Sequence, residues 1–283
     1  MSTLDAHLVA IDARTGNLLW DVEVAKHDSG YSKTAAPLIV KDLVVTGIAG
    51  GEFGIRGFID AYHADTGELA WRTYTIPGPG EFGNDTWSDD SWKTGGSATW
   101  ITGAYDAELN LIYWGTGNPG PDWNGDVRLG DNLYSDSALA LNGDTGEIDW
   151  YFQFTPHDVH DWDAIQVPIL ADLNIEGQDR RVMMWANRNA FFYSIDAADG
   201  EFLKASPFAT QTWAQGLDAN GKPIRVPGTA PTYEGVMVSP PITGGTNWYS
   251  PGFSPDTGLF YVTAFDGEQI FFKRDEDYEE GER

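Results

Sequence analysis

The chain has 283 residues, of which 41% are apolar and 13% aromatic, enough to bury the core of one large domain or two small ones. Seventeen basic residues face 43 acidic ones, and the net charge of −26 argues against nucleic acid or an anionic membrane as a partner. Cysteine is absent, which excludes disulfides, thiolate metal sites and cysteine nucleophiles.

No run of 18 apolar residues occurs, so the sequence predicts no transmembrane helix. Residues 1–5 lack the basic and apolar regions of a signal peptide, which indicates either a cytosolic protein or a natural N-terminus further upstream. Twelve Trp and 33 Gly are typical of a chain built from many short elements joined by tight turns.

An eleven-residue pattern, A-x-D-x-x-T-G-x-x-x-W, first occurs at residues 10–20. Copies at 61–71 and 140–150 keep the final Trp, and a degenerate copy at 194–204 keeps the Asp and the Gly. The copies start 51, 79 and 54 residues apart, and such periods are typical of solenoids, propellers and arrays. Each copy has two β patterns around a Gly-containing turn, so the repeating unit is a β-hairpin.

Further short β patterns lie between the copies and long helical periodicity is absent. The sequence therefore predicts an all-β chain with one four-stranded propeller blade per repeat. The residues that end the copies, Trp20, Trp71 and Trp150, should be buried at equivalent places between neighbouring blades. Four repeats do not close a ring comfortably, so we expect residues 1–283 to form a single, incomplete propeller domain of a longer protein.

Two stretches interrupt the blade pattern. Residues 76–96 form an insertion rich in Pro, Gly, Trp and Asp, and its Phe82, Trp87 and Trp92 predict a packed loop rather than a disordered one. Residues 211–233 are polar, and we interpret them as a loop.

Residues 155–163 concentrate carboxylates and imidazoles between two apolar runs. Taken alone, such a cluster is either a solvated turn or a site for a cation or a proton transfer. If the segment is a strand, Asp161 and Asp163 share one face of it. His157 and His160 would lie on opposite faces with no third His near them in sequence, which argues against zinc.

The Trp-ending repeats occur together with three further motifs: Gly50-Gly51-Glu52-Phe53-Gly54-Ile55-Arg56-Gly57, Gly115-Thr116-Gly117-Asn118-Pro119 and His160-Asp161-Trp162-Asp163. In this order, and over nearly the whole chain, they resemble the quinoprotein alcohol dehydrogenases, the methanol and ethanol dehydrogenase-type enzymes that use pyrroloquinoline quinone. The resemblance implies an eight-bladed β-propeller with the quinone near its axis, of which this chain would supply about four blades. The family's adjacent cysteine pair is then expected just before residue 1, and a Trp that faces the quinone beyond residue 283.

Two residues of these motifs match the family's metal ligands. Glu52 and Asn118 lie in Gly-containing turns where a side-chain oxygen can face inward, and oxygen donors suit a hard cation. Asp161 matches the family's catalytic base and is also assigned to the metal. Asp163 is assigned to the metal because the lanthanide enzymes of the family have Asp there and the calcium enzymes usually have a small residue. Its alternative role is a supporting or solvated carboxylate.

The resemblance also implies contacts to the quinone. Arg188 matches the family's quinone-contacting basic residue, and a planar guanidinium suits the cofactor's carboxylates. Trp100 matches the aromatic floor beneath the quinone ring. The weaker assignments are two polar contacts and two glycines that admit a close backbone approach: Thr34, Asn247, Gly50 and Gly51.

The implied reaction is the oxidation of a primary alcohol to an aldehyde by hydride transfer to metal-bound pyrroloquinoline quinone, with Asp161 as general base. The implied cofactors are this quinone and a calcium or lanthanide ion, and Asp163 favours the lanthanide. The implied partners are a small alcohol and a cytochrome c-type or quinone electron acceptor, and the implied location is the periplasm. Two alternatives stay open: a non-catalytic propeller scaffold of the same repeat superfamily, and a quinoprotein that acts on sugars or polyols.

Overall fold

Short antiparallel strands joined by tight turns make up most of the regular structure in the computed structural model, which describes residues 1–275 and 278–281. The chain begins with a hairpin of β1 (His7–Ile11) and β2 (Leu18–Glu23). Three four-stranded sheets follow, and in each the strands pair in chain order. Their strands are β3 (Leu38–Val40), β4 (Leu43–Gly47), β5 (Phe58–His63) and β6 (Leu69–Tyr74); β7 (Ala104–Asp106), β8 (Leu111–Gly115), β9 (Ser137–Asn142) and β10 (Ile148–Gln153); and β11 (Ile169–Ile175), β12 (Gln178–Ala186), β13 (Phe191–Asp196) and β14 (Phe202–Pro207).

Three two-stranded ribbons complete the described strands. They pair β15 (Ala214–Leu217) with β16 (Pro223–Arg225), β17 (Val236–Val238) with β20 (Gln269–Phe271), and β18 (Gly252–Ser254) with β19 (Leu259–Tyr261). The interpretation of residues 211–233 as a loop is therefore wrong for the first ribbon. Its strands are too short and polar to show alternation, and buried Trp213, which donates to the Asn189 carbonyl at 3.0 Å, anchors them.

Antiparallel pairing sorts the connections of each sheet to two ends. The turns between first and second strands and between third and fourth strands lie at one end, which we call the hairpin end. The loops between second and third strands and the crossovers to the next sheet lie at the opposite end, which we call the loop end. The hairpin end carries the turns of the repeated motif, and the loop end carries the long irregular segments.

The Trp residues of the repeat occupy equivalent places, as predicted. Trp20, Trp71 and Trp150 each lie against the turn glycine of the following copy, where an added Cβ would come within 2.4–2.8 Å of the indole. The indoles of Trp20 and Trp150 also donate to main-chain carbonyls of that turn, at 3.0 and 3.2 Å. Trp150 is buried, whereas Trp20 and Trp71 are half-buried, so the prediction of full burial holds for one of the three.

The insertion at residues 76–96 is packed, as predicted, and contains two 3-10 turns. Trp87 is 5% exposed and donates its indole N–H to the Leu133 carbonyl. The guanidinium of Arg56 lies 4.9 Å from the centre of the Trp92 ring. Phe82 departs from the pattern because it is largely exposed.

The largest apolar cluster contains residues of the second and third sheets together with four buried indoles: Trp150, Trp162, Trp185 and Trp213. The all-β, partial-propeller prediction is confirmed. Within residues 1–275 and 278–281, no helix has the length and apolar character that a membrane crossing would need.

Candidate cofactor and metal site

The predicted site residues come from two kinds of connection at the loop end. Glu52, Asn118 and Arg188 follow the second strands β4, β8 and β12, in loops that lead to the third strands. Thr34, Trp100 and the segment 155–163 lie on crossovers that lead to the next sheet. Because these connections meet at one end of antiparallel sheets, residues that are far apart in sequence come together there.

A cavity of about 250 Å³ at this end gathers seven of the predicted residues in its walls. Glu52 stands in a 3-10 turn between left-handed glycines, Gly50 at φ +117° and Gly54 at φ +65°. The Glu52 side chain is exposed, and we find no hydrogen-bond or ion-pair partner for its carboxylate among the described residues. The seven residues are Thr34, Gly50, Gly51, Glu52, Trp100, Asn118 and Asp163.

Asp163 accepts hydrogen bonds from three of these connections. One carboxylate oxygen accepts the Asn118 backbone N–H at 2.8 Å. The other accepts the indole N–H of Trp100 at 3.1 Å and Nη1 of Arg188 at 2.7 Å. The carboxylate is therefore both a wall of the cavity and the acceptor that holds its other walls in place.

Asp161 does not lie on a strand, contrary to the strand interpretation of this segment. It has a left-handed φ of +61°, which Asp tolerates better than most residues. Asp158 shapes the loop, because its two oxygens accept the N–H groups of His160 and Trp162 at 3.0 and 2.7 Å. Buried Trp162 points into the core, and Asp161 and Asp163 on either side of it both face Arg188, with Asp161 at 3.6 Å.

Negative charge is concentrated here without full compensation. Burial raises the pKa of Asp161 well above its ordinary value, Arg188 opposes this shift, and Asp163 adds to it. Burial likewise raises the pKa of Asp163, again against the effect of Arg188. A bound cation would favour the ionised form of both carboxylates, so the site has the electrostatic character of one that holds a positive ion.

Sequence reasoning missed Asp122. Its carboxylate accepts the side-chain N–H of Asn118 at 2.7 Å, and burial together with the charges of Glu52 and Asp163 raises its pKa to about 6. Asp122 also lies with Glu52 in the wall of a larger groove that adjoins the cavity. Its position four residues after Asn118 was the available signal, but turn carboxylates are common and nothing in the sequence singled it out.

Sequence reasoning also missed Arg128, a fully buried guanidinium. It donates to the main-chain carbonyls of Pro121, Asp122 and Asp158, at distances from 2.6 to 3.2 Å. Arg128 thereby joins the loop that carries Asn118 to the crossover that carries Asp161. A single basic residue in an acidic loop was the signal for it.

The donors around the cavity fit a ligand rich in acceptor oxygens. Nε of Arg188 and Nδ2 of Asn187 are buried and find no partner among the described residues. Buried N–H groups of this kind are normally satisfied, and Arg188 adjoins the cavity because it donates to Asp163 in its wall. With Trp100 in the wall and an unpartnered Glu52, the residues present fit pyrroloquinoline quinone and a hard cation.

Three predicted residues, Asp161, Arg188 and Asn247, are not in the wall of this cavity. Arg188 contacts both Asp163 in the wall and Asp161, whereas Asn247 is not brought into this set. Its side chain donates to the Thr243 carbonyl at 2.9 Å. Its segment nevertheless approaches the site, because Gly245 donates to the Arg188 carbonyl at 2.8 Å. The two histidines face different main-chain carbonyls, His157 that of Gly130 and His160 that of Thr229.

A second group of carboxylates lies at the hairpin end. Oxygens of Asp196, Asp199 and Glu201 come within 4.8 Å of one another in the turn of the fourth copy. Asp199 and Glu201 are exposed, and Arg180 pairs with both Asp196 and Glu201. This group is a turn with one counter-charge, Arg180, and it shares no residue with the cavity.

Comparison with known proteins extends over most of the chain. Residues 1–205 match the family model described as "PQQ: Glucose/ethanol/alcohol dehydrogenase, beta-propeller domain". The quinoprotein alcohol dehydrogenase PedH of Pseudomonas putida is 45% identical over 93% of this chain and 48% of its own length. The lanthanide-dependent methanol dehydrogenase of Methylacidiphilum fumariolicum is 38% identical over 93% of this chain and 46% of its own length.

Solved structures agree with these matches. A europium-containing methanol dehydrogenase superposes with a TM-score of 0.87 at 38% identity, covering 93% of this chain and 50% of its own. The quinohemoprotein alcohol dehydrogenase from Comamonas testosteroni gives a TM-score of 0.88 at 38% identity, covering 94% of this chain and 42% of its own. The chain spans about half the length of the curated relatives that it matches.

Proposed function

The chain belongs to the family of pyrroloquinoline quinone-dependent alcohol dehydrogenases, and on this premise we propose that its protein oxidises a primary alcohol to an aldehyde. The observation that carries the proposal is the cavity at the loop end. It collects an unpartnered carboxylate, an amide, a second carboxylate and an indole from four separate connections, beside a buried guanidinium. A scaffold propeller would have no use for this convergence of charge, of which Asp163 and Arg188 are buried and cost stability unless a ligand compensates them.

We assign the cation to the oxygens of Glu52, Asn118, Asp161 and Asp163. Oxygen donors of this kind suit calcium or a lanthanide. Three carboxylates beside an anionic quinone favour the trivalent ion, because it offsets more of their charge. The similarity to a protein named lanthanide-dependent methanol dehydrogenase supports the same choice.

We assign the general base to Asp161. When bound, the quinone supplies the hydride acceptor, and the cation polarises its carbonyl oxygen. Asp161 lies 3.6 Å from Arg188, which donates to Asp163 in the cavity wall, and Asp158 fixes its loop by accepting two backbone N–H groups. These contacts support Asp161 as the carboxylate that accepts the alcohol proton. Arg188, held between Asp161 and Asp163, can donate to quinone or carboxylate oxygens and balances part of the negative charge.

We further propose a cytochrome c-type or quinone electron acceptor and a periplasmic location. Relatives named quinohemoprotein alcohol dehydrogenase and alcohol dehydrogenase (quinone), dehydrogenase subunit, support the choice of acceptor. The location rests on the family resemblance. Fractionation of cells that express the complete open reading frame would test it.

The test is dye-linked oxidation of primary alcohols by the protein expressed from its complete open reading frame, with the quinone and either calcium or lanthanum. We expect Asp161→Asn to lower kcat by about 10²-fold or more, because general-base catalysis contributes on that scale. Asp199→Asn, which removes an equal charge at the hairpin end, should leave kcat unchanged. Absence of quinone-dependent turnover would favour the scaffold alternative, and a preference for sugars or polyols would favour the other.

A further inference from the structure

The side-chain oxygen of Asn118, Oδ1, has no hydrogen-bond partner among the described residues. Its backbone N–H donates to Asp163 at 2.8 Å, and its carbonyl accepts the Ser97 N–H at 2.9 Å. Its side-chain Nδ2 donates to Asp122 at 2.7 Å. Only Oδ1 finds no donor among the described residues, and Asn118 lies in the cavity wall with Glu52 and Asp163.

Asp122 determines which end of the Asn118 amide faces the cavity. An ionised carboxylate can only accept hydrogen bonds, so the amide must turn its NH₂ toward Asp122 and its oxygen the other way. Without that acceptor, the amide could rotate and present its NH₂ to the cation, which an NH₂ group cannot bind. Asp122 is itself held, because Arg128 donates to its carbonyl and to that of Pro121.

We propose that Asp122 is a positioning residue of the cation site, which orients the Asn118 side chain so that its oxygen is available as a ligand. The inference rests on the proposed function, since it requires that Asn118 binds the cation. It extends that function to a residue outside the matched motifs. Partners that orient metal ligands typically change metal affinity by about 10–100-fold when they are removed.

Two substitutions separate orientation from charge. Asp122→Asn removes the negative charge but keeps a side-chain oxygen that can accept from Asn118. Asp122→Ala removes both. The matched control is Asp89→Asn, because Asp89 lies in the wall of the same groove and has a left-handed φ of +49°, which Asn adopts readily. Each of the three variants removes one negative charge.

The experiment is equilibrium dialysis of terbium(III) against the protein expressed from its complete open reading frame, with and without the quinone. The site is defined as the bound terbium that is lost in Glu52→Gln. We expect Asp122→Ala to weaken this binding about tenfold or more, Asp122→Asn to weaken it by clearly less, and Asp89→Asn to leave it as in the parent. Circular dichroism of each variant confirms that it is folded.

The outcomes distinguish the inference from its premise. Equal binding by the parent and Asp122→Ala would overturn the positioning role and leave the proposed metal site standing. Equal weakening by Asp122→Ala and Asp122→Asn would show that charge alone matters, which also overturns it. If the parent has no Glu52-dependent terbium binding, the metal site of the proposed function fails, and the inference fails with it.

Discussion

At the hairpin end, three indoles each lie on the turn glycine of the next copy of the motif. At the loop end, residues from unlike connections converge on one cavity, and several of their polar atoms have no partner among the described residues. The carboxylates of the two ends differ in the exposure of their counter-charge. Arg180, which pairs with Asp196 and Glu201 of the fourth turn, is 22% exposed, whereas Arg188, which Asp161 and Asp163 share, is 6% exposed.

This difference separates what stabilises the fold from what the fold can bind. Contacts at the hairpin end bury large indoles between adjacent motifs, so each contributes to stability. Contacts at the loop end leave buried charge uncompensated, which costs stability in the absence of a ligand. Unfavourable arrangements such as this one persist only where the surrounding structure holds them in place, and they are concentrated at binding sites. Substitutions at the two ends should therefore change stability in opposite directions.

The largest effect is expected at the hairpin end. Trp150→Ala should lower the free energy of unfolding by about 3–5 kcal/mol, because it removes a buried indole and leaves a cavity between two blades. The indole is 9% exposed, donates to the Ala197 carbonyl and lies 5.8 Å from the Tyr113 ring. Denaturant unfolding followed by tryptophan fluorescence measures the loss. The matched control is Trp20→Ala, which should cost less because Trp20 is half-buried; equal losses would show that burial does not set the contribution.

The repeat and its docking role could be predicted from the sequence because each copy carries its own hairpin and its own Trp. The cavity could be predicted only where a family motif marked a residue. Arg128 and Asp158 act mainly through contacts with main-chain atoms, and Asp122 acts through the side chain of Asn118 in its own loop. Their residue types are common in turns, so no pattern in the sequence distinguishes them. The positive φ of Asp161 likewise follows from its capped loop and is not visible in the spacing of Asp161 and Asp163.

A substitution at the loop end is expected to stabilise the ligand-free protein rather than destabilise it. Asp161→Asn should raise the free energy of unfolding of the ligand-free protein by about 1–2 kcal/mol at neutral pH, because the folded pKa of Asp161 is raised well above its ordinary value and its ionised form is therefore unfavourable in the folded state. The Arg188–Asp163 pair at 2.7 Å stays intact, and Asn tolerates the left-handed φ of this position. The gain would be measured by urea unfolding of protein dialysed against a chelator. A loss of stability in this variant would contradict the contrast between the two ends.

The same variant has a defined pH dependence. Because the folded pKa of Asp161 lies above the ordinary value of 3.8, the folded state keeps a proton that the unfolded chain releases as the pH rises. Asp161 therefore costs stability at neutral pH, and the cost disappears as the pH falls below 3.8, where both states are protonated. The stability difference between the parent and Asp161→Asn should shrink over that fall in pH.

The smallest effect is expected for a surface ion pair at the hairpin end. Lys41 donates to Asp144 at 2.5 Å, and the two side chains are 46% and 56% exposed. Lys41→Gln should lower the free energy of unfolding by only about 0.2–1 kcal/mol, since exposed pairs gain little in water. The loss should shrink further in 1 M salt, where screening acts over roughly 3 Å. Arg181→Ala is the contrast: its partner Asp106 is 3% exposed and 2.7 Å away, so removing Arg181 leaves a buried carboxylate unpaired and should cost more. If both variants lost the same, salt-sensitive amount of unfolding free energy, burial of the carboxylate would not determine the loss. That result would remove the electrostatic basis of the contrast between the two ends.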